Sequence, residues 1–285
     1  MNTGTLGNCR NCGAMLTGRY CAVCSQAADV HVPSTRELVH DALEGLTHSD
    51  SRLWSTLHLL WFKPGALTQA YVAGRRMSYL PPIRLYLVVS VIFFLVASVS
   101  HPPSRFVVFD PTNTRDGTVT SVCTDLHLTL FGRDYGPRLS HACSEIARDK
   151  GANLLHQSIG ILPKAMFLFL PLIALLHMLM YWRPRHRYAE HLLFFVHLHA
   201  FFFSVMTLLV LSADAASAWP KLAPLSSLGR LLMWSLPVYT AVALKRVFTR
   251  SWPGTLAKLL ALFLVYWVVL GVTLAAVFVY AGLQL

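Results

Sequence analysis

Five stretches of this chain are too long and too apolar for an ordinary soluble fold. They run roughly over residues 83–100, 161–182, 191–213, 228–244 and 256–283. A helix needs about 20 apolar residues to cross the hydrocarbon core of a bilayer, and tilt absorbs modest differences in length. The fourth stretch is the shortest and contains Pro237, which a spanning helix tolerates when neighbours satisfy the freed backbone groups. Charge agrees: 13% of the 285 residues are charged, against roughly 25% in a soluble domain. So little charge cannot cover a water-exposed body of this size. The expectation is an all-α integral membrane helical bundle of about five transmembrane helices, spanning residues 83–285.

Ahead of the spans lies a segment of different chemistry. Cys9, Cys12, Cys21 and Cys24 form two Cys-x-x-Cys knuckles separated by eight residues. Each knuckle puts two thiolates on one turn of backbone, and two knuckles complete a closed tetrahedron of the kind that holds structural zinc. A redox dithiol would use one Cys-x-x-Cys at a helix start. Residues 1–28 are too few to build a core, so metal must supply the folding free energy. Gly13 and Gly18 suit the tight turns. The expected cofactor is one structural zinc ion in a small N-terminal ribbon.

The start of the chain lacks the charged and apolar regions of a cleavable signal peptide. The ribbon is therefore expected in the cytosol, where thiols stay reduced. Basic residues set the threading. Arg75, Arg76 and Arg84 flank the first span, Arg183, Arg185 and Arg187 join the second and third, and Lys245, Arg246, Arg250 and Lys258 join the fourth and fifth. Loop 212–227 carries only Lys221. The positive-inside pattern puts the N-terminus in the cytoplasm and the C-terminus outside, in a bacterial inner membrane. Several arginines in loop 101–160 run against the pattern. The net charge of +11 is thereby explained by topology and lipid phosphate, and nucleic acid is not expected as a partner.

Residues 29–82 are too polar to span and read as cytoplasmic, amphipathic, interfacial helices. Ser34-Thr35-Arg36-Glu37 is a capping box opening a helix through Leu46. The run from Leu53 to Phe62 has the Trp and Leu content of a helix at headgroup level. Lys63-Pro64-Gly65 stops it, and a short helix over 66–73 ends at Gly74-Arg75-Arg76. Membrane lipids are the expected partners here, and a protein could dock on the ribbon. Outside, loop 101–160 is long enough for a small extracytoplasmic subdomain. Strand-like stretches occupy 105–109 and 119–131, and a helix over 140–161 feeds the second span. Cys123 and Cys143 are the candidate disulfide pinning that subdomain; unpaired buried thiols are the other reading.

The polar residues of the spans form a candidate intramembrane site: His177, Glu190, His191, His197 and His199. Ionisable groups in spans are functional candidates, and interhelical packing glue is the plainer reading. At 100° per residue, His197 and His199 point to nearly opposite sides of their helix, and His191 and His199 stand about 12 Å apart. The third span alone therefore builds no compact metal site. No catalytic residues are assigned: there is no G-x-S-x-G, HExxH or P-loop, and acidic residues avoid the apolar cores.

Several motifs together resemble the DUF3667 family of uncharacterised bacterial membrane proteins. They are Cys9-x-x-Cys12-Gly13 with Gly18-Arg19-Tyr20-Cys21-x-x-Cys24, then Lys63-Pro64-Gly65, Tyr71-Val72-Ala73-Gly74-Arg75-Arg76 and Tyr79-Leu80-Pro81-Pro82, and Tyr188-Ala189-Glu190-His191-Leu192-Leu193-Phe194 with His197 and His199. The resemblance implies an inner-membrane protein with a zinc ribbon and no established activity. Ser25 stands where such a knuckle often has glycine. The leading expectation is a non-enzymatic membrane protein whose ribbon serves docking or regulation, in envelope assembly or transport. Two readings stand beside it: a transporter or channel using the intramembrane His and Glu residues, and a membrane enzyme or a haem protein held through His177.

Overall fold

The computed structural model describes residues 7–29, 52–100, 129–130, 133–134, 136–149, 152–181, 186–248 and 251–284. The expected helix opened by Ser34, the strand over 105–109, most of 119–131 and Cys123 lie outside the described residues, as do Arg183, Arg185 and Arg250. The described elements are α1 (Arg52–Phe62), α2 (Ala66–Val72), α3 (Pro82–Val99), β1 (Thr129–Leu130), β2 (Arg133–Asp134), α4 (Gly136–Asp149), α5 (Ala152–Met180), α6 (Tyr188–Ala218), a 3-10 turn (Pro220–Leu222), α7 (Ala223–Phe248) and α8 (Trp252–Gly282).

Five of these helices, α3, α5, α6, α7 and α8, are long and apolar enough to cross a membrane. Their positions match the five sequence stretches; the first keeps its length and the other four are longer, and the fourth, Pro224–Phe248, runs unbroken through Pro237. The chain divides into two compact units, one of residues 1–100 with 170–265 and one of 101–169 with 266–285.

In the first unit α6 is the central element. Its apolar window is 61% buried, against 22% for α3 and for α7. α3 and α7 both pack along it. The reason is its run of aromatics. Phe203 meets Phe93 with stacked rings 5.1 Å apart, Phe94 at 5.6 Å and Tyr86 at 6.0 Å, all from α3. Phe201 stacks on Tyr239 of α7 at 3.7 Å and takes Trp61 of α1 edge-on at 5.3 Å. Aromatic pairs of this kind add specificity beyond simple burial. The outward faces stay apolar. Val91, Leu95 and Val99 line one exposed face of α3, and Leu231, Trp234 and Val238 are exposed on α7.

The segment before α3 is drawn into this packing. α1 buries Thr56 and Leu60, and α2 buries Leu67, Thr68, Ala70 and Tyr71. α2 packs against both α6 and α7. Gly65, between α1 and α2, has φ 74°, and an added Cβ would come within 2.9 Å of the Ala243 carbonyl oxygen and 3.0 Å of its Cα. A side chain is thus excluded there by backbone conformation and by backbone contact together.

In the second unit β1 and β2 form a two-residue antiparallel pair. The Asp134 carboxylate then accepts the Gly136 amide at 2.8 Å at the start of α4. Of the helix expected over 140–161, the described residues belong to α4, which ends at Asp149, and α5, which begins at Ala152. Cys143 is half-buried on α4 and disulfide-bonded.

Candidate metal centre and its docking to the helices

The cysteine head is two copies of one turn, offset by twelve residues. In the first, the Cys9 amide donates to Ala14 O, the Gly13 amide to Cys9 O and the Leu16 amide to Gly7 O, at 2.8, 2.8 and 3.0 Å. In the second, the Cys21 amide donates to Gln26 O, the Ser25 amide to Cys21 O and the Ala28 amide to Arg19 O, each at 2.8 Å. Gly13 and Ser25 occupy the same place in the two turns, and both take positive φ, 79° and 59°. Ser25 is the one non-glycine among the described residues to do so. The turn needs a left-handed residue after its second cysteine, so Ser25 keeps the geometry at a conformational cost that glycine avoids.

The turns bring four sulfurs together. All four Sγ atoms lie within 4.8 Å of one another. Cys9 and Cys24 Sγ are 3.6 Å apart, Cys12 and Cys21 Sγ 3.5 Å. Metal–sulfur bonds of about 2.3 Å in a tetrahedron set sulfurs about 3.8 Å apart. The donor set therefore fits a closed tetrathiolate ion, and it is the one such cluster among the described residues. No position is left open for a reacting water.

Electrostatics show why the quartet wants a cation. Backbone amides point at the sulfurs. The Cys24 and Val23 amides hold the Cys21 thiol down at about 6, and the Cys12 amide lowers Cys9. At Cys12 the Ala14 amide also pulls down, but burial and the neighbouring Cys21, Cys24 and Cys9 thiols outweigh it and push that thiol up to about 12. Charge gathered on some sulfurs is thus refused by another. A divalent ion removes the conflict and keeps all four deprotonated.

Both turns also hold the rest of the chain. Gln26, buried just after the second knuckle, donates through Nε2 to the Gly74 carbonyl at 2.8 Å. Its Oε1 accepts the Arg76 and Met77 amides at 3.2 and 3.4 Å. Asn11, inside the first knuckle, accepts the Ser78 hydroxyl at 2.9 Å. The head therefore grips residues 74–78, directly before α3. Farther along, the Leu80 amide donates to Thr56 Oγ1 at 2.9 Å. Tyr239 donates to Leu60 O, Gln69 to Arg246 O and Arg246 to Pro64 O, each at 2.6 Å.

Of the five residues of the candidate intramembrane site, His177 and His191 are brought together and Glu190 is linked to them through His186, whose ring lies 6.0 Å from that of His191, while His197 and His199 stand apart. His177 and His191 meet through their Nδ1 atoms at 2.8 Å, under rings of Tyr181, Phe194, Phe195 and Phe248. Glu190 turns instead to His186, with 2.7 Å between Oε2 and Nδ1. His197 bonds Thr68 of α2 at 2.9 Å, and His199 bonds the Phe195 carbonyl of its own helix at 2.9 Å. His197 and His199 diverge as helical geometry requires. Direct contact of the His177 and His191 Nδ1 atoms leaves no room for an ion between those two nitrogens. Sequence reasoning missed His186, Thr68, Gln26 and Asn11. Only His186 carried a signal, its spacing of four from Glu190.

Residues 50–94 match the model of a family described as Protein of unknown function (DUF3667). The matched segment contains α1, α2 and most of α3, and so includes both the loop gripped by the head and Thr68, the partner of His197. No curated protein and no solved structure matches the chain. The matched segment is also the piece that bonds both the cysteine head and α6.

Proposed function

We propose that this chain is a polytopic bacterial inner-membrane protein with no enzymatic role, built around a structural zinc ribbon. Zinc suits a closed four-cysteine tetrahedron in a reducing compartment. Exposed apolar faces on α3, α7 and α8 are what lipid would cover. The basic groups before α3 and after α7 support a cytoplasmic ribbon and a C-terminus on the opposite side. Cys123 is the partner of Cys143, as the remaining cysteine once the four of the ribbon are set aside.

The observation that carries the reading is the grip of Gln26 and Asn11 on residues 74–78. Both side chains are positioned by metal-bound turns, and both hold the loop that leads into the first span. The zinc ribbon is therefore a clamp on the bundle. It presents a rigid cytoplasmic face on which a protein partner docks, in envelope assembly or transport. Cross-linking from the purified full-length protein tests this. A cytosolic partner should be captured by the wild type and lost with Cys9→Ser; identical partners in both would contradict it.

The transport reading needs a shared polar path through His177, Glu190, His191, His197 and His199. Their separate hydrogen bonds favour packing glue. Proton-coupled flux in liposomes, abolished by His197→Ala, would revive it.

A further inference from the structure

The turn between α1 and α2 meets the C-terminal end of α7 at one corner of the first unit. The Arg246 guanidinium donates to Pro64 O, the Gln69 amide donates to Arg246 O, and Gly65 sits against Ala243. These contacts hold Lys63, which is exposed, next to the last turn of α7. There the Lys245 ammonium lies 5.8 Å from the centroid of the Trp252 ring. Phe62, which precedes Lys63, and Trp252, which faces Lys245, are 75% and 53% exposed.

An apolar track leads away from this corner. Leu256, Leu260 and Leu264 follow Trp252 at intervals of four and are all exposed, so they form one stripe down α8. Two cations beside exposed aromatics, heading an apolar stripe, is the arrangement that fits a headgroup with its acyl chain. A soluble anion has no use for the stripe, and a protein partner has none for its length into the span.

We propose that this corner binds an anionic phospholipid, with Lys63 and Lys245 on the phosphate and an acyl chain along the Trp252–Leu264 stripe. The proposal rests on the membrane reading above. Full-length protein in detergent is titrated with phosphatidylglycerol, phosphatidylcholine and soluble glycerol phosphate, and bound lipid is read by native mass spectrometry. Phosphatidylglycerol should bind best, and K63Q/K245Q should weaken it about thirtyfold while Arg19→Gln on the ribbon does not. The K63R/K245R variant should restore it. Equal binding of the two lipids, indifference to K63Q/K245Q, or equal competition by glycerol phosphate overturns the site. Brominated acyl chains provide the separate check. If they quench no fluorescence that Trp234→Phe removes, the membrane reading itself fails; if they do, and K63Q/K245Q still binds as wild type, the site alone fails.

Discussion

The two groups of potential metal ligands in this chain behave in opposite ways. The head gathers four cysteines into one cluster within 4.8 Å. The long helices divide five candidate residues: His177 pairs with His191, Glu190 reaches that pair only through His186, His197 bonds Thr68 and His199 bonds its own helix backbone. A knuckle carries both its ligands on one local turn, and a second copy of the turn completes the set. A helix throws successive residues 100° apart, so convergence depends on which neighbours it meets. The head is thus specified by spacing, and the helices by packing.

The largest effect that sharpens this contrast is expected in the head. Cys9→Ser should abolish stoichiometric metal in the purified protein, because a structural zinc site supplies about 10 kcal/mol or more of apparent folding free energy. Metal analysis of wild type and variant checks it; retained one-to-one metal would place the ion elsewhere. Acid should act in the same direction. Cys21 is held at about 6, below its ordinary value of 9. Its contribution to the folded head is therefore present above 9 and fades as pH falls through about 6. Bound metal competes with the proton and moves this loss lower still. Hydrogen exchange of residues 7–29 followed against pH should show the head opening at a higher pH in the apo protein than in the metal-loaded one.

In the helices the expected effects are smaller and coupled. His191→Phe leaves His177 Nδ1 without its partner at a buried site and should cost about 1–3 kcal/mol. Replacing both rings, H177F/H191F, should recover part of that loss, since removing both members of a buried pair leaves nothing unsatisfied. Thermal unfolding in detergent measures the cycle, and simple additivity would show that the pair is not coupled. Gln26→Ala should cost about 1 kcal/mol and loosen residues 74–78 without loss of metal. The smallest change is a gain. Ser25→Gly relieves a left-handed non-glycine and should raise head stability by about 1 kcal/mol.

The same contrast explains what could be read from sequence. The cysteine quartet was legible because its ligands are local, and Gly13 marked the turn that Ser25 repeats. The five long helices were legible from length and hydropathy, and α7 continues through Pro237. Lys63-Pro64-Gly65 marked a stop, but not the close approach to Ala243 that makes Gly65 obligatory. What could not be read were partners distant in sequence. Gln26 has no local pattern that points to Gly74, and Thr68 has none that points to His197. His177 and His191 belong to different helices, so their meeting depends on how the α5–α6 turn closes.

The claim that a metal-bound head clamps the start of the first span is tested most directly by amide hydrogen exchange on the full-length protein, with metal and after its removal. Protection of residues 74–78 should vanish with the ion, together with that of residues 7–29, while the middle of α6 keeps its own. Unchanged protection at 74–78 after the metal is gone would contradict the account.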